Sequence, residues 1–193
     1  MSRAGIAEPT LGSAPRHRRS IAALLRLLPL LALAVGCDRI LPRSDLELPE
    51  ISVVDSIYAA NGVRVDSVAY RGNVVELVAT QPLEQIQRGG SLWARVGPQI
   101  YLLNPATRAL FESYEGIAAV RARTRTPDGT EIARALLLRS TLNEATWPRA
   151  LRLLSRALTE GTERPSTIEE LARFGEERTE HHYNQEFVPR RGR

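Results

Sequence analysis

Four stretches of the chain are rich in apolar, β-forming residues and are separated two by two by turn residues, which predicts two β-hairpins. The first hairpin joins residues 63–70 to residues 73–80, and the second joins residues 117–126 to residues 130–139. Glycine and other turn-forming residues separate the two strands in each case, as a hairpin requires.

A third strand pair is predicted at residues 92–96 and 99–103, because Gly97-Pro98 interrupts an apolar stretch there. Residues 82–88, which precede Gly89-Gly90, are compatible with either a short helix or a loop. The pattern of the residues does not choose between these two conformations.

Three further segments are predicted to be helices. Asn104 is a favourable N-cap and Pro105 suits the first helical turn, so we expect the first helix to begin there. The second begins at Trp147 and carries apolar residues at helical spacing along one face. The third begins at residues 166–169, whose sequence Ser-Thr-Ile-Glu matches a capping box.

The order of these elements is strands, one helix, strands and two helices, which predicts the α+β class. We expect an antiparallel sheet built of hairpins, with one intervening helix and with two C-terminal helices packed on one face. This single domain is assigned to residues 51–188, and a basic tail follows at residues 189–193. A domain of this size buries about two-thirds of the surface of its unfolded chain, which is enough for a hydrophobic core.

The N-terminal part of the chain has a different pattern. Basic residues 16–19 precede an apolar run at residues 21–35, and Cys37, the only cysteine of the chain, follows two positions later. Export signals have this order of a basic and an apolar region. The run is short for a membrane-spanning helix, which takes about 20 residues. The sequence therefore predicts that residues 1–36 are an export signal.

The residues around the cysteine resemble a known motif. Ala34-Val35-Gly36-Cys37 resembles the lipobox of bacterial lipoproteins, although alanine stands where leucine is commonest. The resemblance implies cleavage between Gly36 and Cys37 and attachment of a diacylglycerol to the thiol of Cys37. Residues 37–50, which contain two prolines, would then be a lipidated tether. The domain would stand outside the cytoplasm, anchored to the inner or the outer membrane of the cell envelope.

The distribution of charge argues against a nucleic-acid partner. The formal charge of the whole chain is +4, but residues 1–37 hold five arginines and only one acid. The remainder has 21 arginines and 21 acids, so its formal charge is zero. The chain has no lysine, which excludes Schiff-base chemistry. No catalytic motif, metal-ligand set or cofactor-binding loop is recognisable, so we expect a binding domain rather than an enzyme.

Three alternating arginines are the candidate for an anion-binding site. Arg121, Arg123 and Arg125 lie on one predicted strand, so their side chains project from the same face, about 6–7 Å apart. Guanidinium groups at this spacing can hold a phosphate, a lipid headgroup or the carboxylate of a glycan. The same pattern also fits a solvated sheet face whose charges are balanced by acids such as Glu131. The sequence leaves both interpretations open.

Two other groups of residues are candidate sites. His181 and His182 lie on or just past the last helix, and Glu177 is one helical turn before His181, a spacing that can hold a metal ion. Adjacent histidines diverge by about 100° on a helix, so a polar helix end is the favoured interpretation. The aromatic residues Trp93, Tyr101 and Trp147 fit either a ligand groove or the core, and the core is favoured.

The sequence therefore supports a membrane-anchored envelope lipoprotein whose domain binds, or helps to assemble, another envelope protein. An alternative is a solute- or glycan-binding lipoprotein with a concave site at Trp93, Tyr101 and nearby arginines. The third and least favoured function is a carboxylate-based hydrolase, which needs two acids to meet in a cleft.

Overall fold

The computed structural model of the protein describes residues 47–189. The proposed export signal, Cys37 and the tether up to residue 46 lie outside the described residues, as does the basic tail from residue 190. Within residues 47–189, no helix is long and apolar enough to cross a membrane.

A five-stranded sheet forms the centre of the domain, and its strands lie side by side in chain order. The strands are β1 (Ser67–Arg71), β2 (Val74–Thr80), β3 (Ala119–Arg125), β4 (Glu131–Leu138) and β5 (Glu180–Tyr183). All neighbouring pairs are antiparallel except β2 and β3, which are parallel. This mostly antiparallel sheet with helices confirms the predicted α+β class, and both predicted hairpins are present as β1–β2 and β3–β4.

Six helices accompany the sheet in the described part of the chain. They are α1 (Ile51–Ala60), α2 (Leu83–Gly89), α3 (Ser91–Leu102), α4 (Pro105–Ser113), α5 (Trp147–Glu160) and α6 (Pro165–Glu176). Helix α4 begins as predicted, because the side-chain oxygen of Asn104 accepts a hydrogen bond of 2.9 Å from the backbone N–H of Thr107. The two C-terminal helices, α5 and α6, are also confirmed.

The strand pair predicted at residues 92–96 and 99–103 is wrong, since this stretch forms helix α3. Its buried residues include Ala94, Pro98 and Leu102, which follow one another at intervals of four and share a helical face. Packing of that face against the sheet and against α6 outweighs the helix-breaking tendency of Gly97 and Pro98. The chain therefore has more than the one helix expected between the hairpins.

The capping box predicted for the last helix is also wrong. Helix α6 begins at Pro165, and the residue at its N-cap, Arg164, makes no side-chain capping bond. The hydroxyl of Thr167 donates instead to the backbone carbonyl of Arg164 at 2.9 Å. Proline at the first helical position already fixes the backbone and lacks an N–H group that would have no partner within the helix.

One face of the sheet packs against the helices and forms the core. Val75, Val120 and Leu137 are paired across β2, β3 and β4, and all three are fully buried. The same hydrophobic cluster contains buried residues of α1, α3, α4, α5 and α6. Side chains alternate along a strand, so the residues next to each of these core residues in its own strand must point to the opposite face of the sheet.

Candidate functional site

The face of the sheet opposite the helices, called here the open face, collects most of the charged strand residues. Two cross-strand rows can be followed from the pairing register. In the first row, Glu76 on β2 is beside Arg121 on β3, followed by Leu136 on β4 and Glu180 on β5. In the second row, Val78 on β2 is beside Arg123 on β3, followed by Arg134 on β4 and His182 on β5.

Glu76 is the buried centre of the first ion cluster. Only 7% of this residue is exposed, although it lies in the middle of an otherwise apolar strand. Its Oε1 binds Nη1 of Arg121 at 2.6 Å, and its Oε2 binds Nε of Arg71 at 2.9 Å. A buried carboxylate requires partners of this kind, because its desolvation is otherwise costly. Both of its oxygens are engaged, so Glu76 is poorly placed to act as a catalytic acid or base.

Glu131 is the centre of a second cluster. Its two carboxylate oxygens bind Arg123 and Arg134, each at 2.8 Å. Arg123 and Arg134 lie directly opposite each other on antiparallel strands. Two like charges in this position repel each other, and one carboxylate compensates only one of the two positive charges.

Arg125 belongs to a separate pair at the end of the strand. Its Nη2 lies 3.3 Å from Oδ2 of Asp66, an oxygen that also accepts a hydrogen bond of 2.6 Å from the hydroxyl of Thr80. The structure thus places all three predicted arginines on one face, but each has an acidic partner. Arg121 and Arg123 border one groove, whereas Arg125 does not.

The groove on the open face is shallow and has a volume of about 460 Å³. Arginine and acidic side chains from all five strands line it, and the charged ones are Arg71, Glu76, Arg121, Arg123, Arg134 and Glu180. Four guanidinium groups therefore face two carboxylates. Arg123 and Arg134 keep 40% and 47% of their side chains exposed, so they remain accessible to a ligand. A guanidinium group has five N–H donors, which is more than its present ion pair uses.

Sequence reasoning did not assign four charged members of this groove to the site, namely Arg71, Glu76, Arg134 and Glu180. Arg71 is the last residue of β1, next to the hairpin turn, and its side chain contacts Glu76 on β2. The one available sequence signal was Glu76 itself, a single acid within the apolar run Val-Val-Glu-Leu-Val. An acid at such a position requires cationic neighbours, but only the strand order identifies them.

The two histidines lie on the edge strand β5 rather than on a helix, so the helical pairing with Glu177 is wrong. His182 is next to Arg134 in the second row, whereas His181 points to the other face. No group of three or more potential metal ligands occurs among residues 47–189.

The three aromatic candidates do not come together in one site. Trp147 is buried in the core, as favoured from the sequence, and Tyr101 is partly buried against it. Burial and then the nearby Asp66 raise the pKa of Tyr101. Trp93 lines a second cavity together with Arg88. None of the arginines that line the groove of the open face borders this cavity.

Comparisons with known proteins provide no relative for this chain. No protein-family model, curated protein or solved structure matches it significantly.

Proposed function

We propose that this chain is a lipid-anchored protein of the bacterial cell envelope whose domain acts by binding, and that the open face holds an acidic segment of a partner protein. The lipobox-like sequence ending at Cys37 supports the anchoring. The absence of a recognisable catalytic set from the sequence favours binding over catalysis.

The observation that carries this proposal is the placement of Arg123 opposite Arg134, with His182 beside them in the same row. Cross-strand like charges reduce the stability of a sheet, and most pairs in stable sheets avoid them. Two opposed arginines that share the single carboxylate of Glu131 are therefore poorly explained by folding alone. They are well explained if an added anion completes the charge balance.

The chemistry of the groove favours carboxylates as the bound groups. Guanidinium groups form two parallel hydrogen bonds with a carboxylate, which gives both energy and orientation. With the neutral form of histidine, the groove has two more positive than negative side chains. Glu131, which binds Arg123 and Arg134, adds one negative charge, so the net charge of the groove is still positive.

The spacing of the arginines favours an extended protein segment over a single small anion. Arg121 and Arg123 are two residues apart on β3, so their side chains emerge about 6–7 Å apart. Alternate residues of an extended peptide have the same spacing. Acidic residues at positions i and i+2 of a partner can therefore reach both arginines, and the electrostatic match would speed association.

The anchoring half of the proposal is tested by mass spectrometry and fractionation. We expect the purified protein to begin at Cys37 and to carry the mass of a diacylglycerol, and we expect it to partition with membranes. The variant Cys37→Ser should lose the lipid and leave the membrane fraction or stay uncleaved. A wild-type protein without added lipid mass would overturn this half.

The binding half is tested with the full-length protein in detergent and a fluorescent peptide of alternating glutamate and serine. We expect the double variant Arg123→Gln/Arg134→Gln to bind the peptide at least tenfold more weakly than wild type. The matched control Arg64→Gln/Arg152→Gln removes the same charge from two exposed positions and should bind normally. An equal loss of peptide binding in both double variants would show that only the net charge of the domain matters. If the protein bound anionic lipid vesicles but not the peptide, the partner of the open face would be a membrane rather than a protein.

A further inference from the structure

We propose that the domain has a second binding site, separate from the open face, for a small amphiphilic anion. The site is the cavity between α2, α3 and the turn that joins α5 to α6, and it has a volume of about 380 Å³. Cavities of this size fall within the range that binds small molecules, and such sites combine an apolar lining with a few polar groups. Its occupant would be a molecule with an apolar body and one carboxylate or phosphate group.

The apolar part of the cavity is contributed by both helices and by the turn. Leu92 and Trp93 belong to the first turn of α3, and Ile168 belongs to the first turn of α6. The turn at Gly161 approaches Ile168 so closely that a Cβ atom on the glycine would lie 2.6 Å from Cγ1 of Ile168. No side chain larger than hydrogen fits there, so this wall of the cavity is closely packed.

Arg88 is the one charged side chain that lines the cavity in the described part of the chain. Its Nε donates a hydrogen bond of 3.3 Å to the backbone carbonyl of Glu84, and it forms no ion pair with any residue of 47–189. This differs from the arginines of the open face, each of which has an acidic partner. The terminal nitrogens of Arg88 are therefore available to an external anion.

Two neutral polar side chains complete the lining. Gln85 lies on α2 one turn before Arg88, and Thr162 lies on the α5–α6 turn. Neither side chain forms a hydrogen bond with another described residue. They can accept or donate hydrogen bonds beside the anionic group, which fixes its orientation. From the sequence, Trp93 is a candidate only for a groove shared with Tyr101, which does not line this cavity.

The test uses the full-length protein in membranes and a photoreactive probe, a six-carbon carboxylate with a diazirine on its chain. The primary amide of the same molecule is the matched neutral probe. Adducts are located by mass spectrometry. We expect the carboxylate to label residues of the cavity at least fivefold more than the amide does. Labelling that is equal for both probes, that lies outside the cavity, or that does not occur would overturn the proposal.

Variants assign the effect to the arginine. Arg88→Gln should lower labelling by the carboxylate to the level of the amide and should leave labelling by the amide unchanged, which also shows that the cavity is intact. Arg64→Gln, an equal loss of charge at an exposed position, should label as wild type. Competition with octanoate or with octyl phosphate identifies the preferred anion. Arg123→Gln/Arg134→Gln should not change the labelling, so this site and the open face are tested independently.

Discussion

Arg123 and Arg134 lie directly opposite each other on β3 and β4, and Glu131 binds both guanidinium groups at 2.8 Å. The carboxylate neutralises one positive charge and leaves the other without compensation. The arrangement therefore retains a repulsive pair that a more stable sheet would replace with a neutral one. Sites that bind ligands often retain such local costs, because optimal stability and function differ.

This relationship predicts that function and stability respond in opposite directions to the loss of Arg134. We expect Arg134→Thr to leave the free energy of unfolding unchanged or to raise it by up to about 0.5 kcal/mol, because the cross-strand repulsion disappears and threonine suits a strand. The same variant should bind the acidic peptide several-fold more weakly. Urea denaturation and peptide binding measure the two quantities. A variant that loses substantial stability would show that the pair is a structural requirement.

Removal of the shared carboxylate should have the opposite effect on stability. We expect Glu131→Gln to lower the free energy of unfolding by about 1 kcal/mol, because two opposed guanidinium groups then face each other without an acid. The loss should be greater at low salt, where the repulsion is less screened. Urea denaturation at two salt concentrations measures this, with Glu163→Gln, at an exposed position, as the control. A loss that does not depend on salt would contradict the electrostatic explanation.

Arg139 has a structural role that can be tested separately from binding. Its guanidinium donates hydrogen bonds to the backbone carbonyls of Phe111, Tyr114 and Ile117, and burial lowers its pKa. It thereby ties the end of α4 and the segment before β3 to the end of β4. We expect Arg139→Met to lower the free energy of unfolding by about 2–3 kcal/mol, because carbonyl groups lose charged donors. Arg152→Met, on the exposed surface of α5, is the matched control and should change it by less than about 0.5 kcal/mol.

Glu176 predicts a dependence of stability on acid pH. Burial acts to raise its pKa, but hydrogen bonds from Arg95 and Tyr183 outweigh burial, so the pKa in the folded protein is below the ordinary value of 4.5. The contribution of the carboxylate to stability is therefore complete above about pH 5 and is lost as the pH falls through the lowered pKa. Glu176→Gln should be less stable than wild type near neutral pH.

The measurement is the free energy of unfolding of wild type and Glu176→Gln between pH 7 and pH 3. We expect the difference to be about 1–2 kcal/mol at neutral pH and to shrink below pH 4.5, since the wild type then also loses its charged acceptor. Glu163→Gln, at an exposed position, should show no such change. A difference that is constant down to pH 3 would contradict the role assigned to the Arg95–Glu176 pair.

Local sequence patterns predicted the elements whose determinants are close together in the chain. Asn104 and Pro105 specified the start of α4, and the glycine-containing turns specified both hairpins. Gly97 and Pro98 gave a local signal that was misleading, because the surrounding helix is stabilised by packing across the sheet and against α6. Contacts of this kind depend on the fold and cannot be derived from residue spacing.

The candidate site also has some features that depend on local sequence and others that depend on contacts between distant segments. The common face of Arg121 and Arg123 followed from strand alternation alone. The pairing of Glu76 with Arg121 required the parallel contact between β2 and β3, which joins segments about 45 residues apart. No local pattern predicted that contact. The cavity at Arg88 likewise depends on the approach of α6 to α3. The residues of α3 were predicted from the sequence to form a strand pair, so this approach could not be anticipated.

The most direct test of the central claim is site-specific photo-cross-linking in intact cells. A benzophenone side chain replaces Val78, which shares its row with Arg123 and Arg134, or replaces the control residue Ser155 on the exposed side of α5. We predict one dominant protein adduct from position 78 and none from position 155. The adduct should disappear in Arg123→Gln/Arg134→Gln and persist in Arg64→Gln/Arg152→Gln. An adduct that does not depend on the arginines, or the lack of any adduct from position 78, would contradict the assignment of the open face as the binding surface.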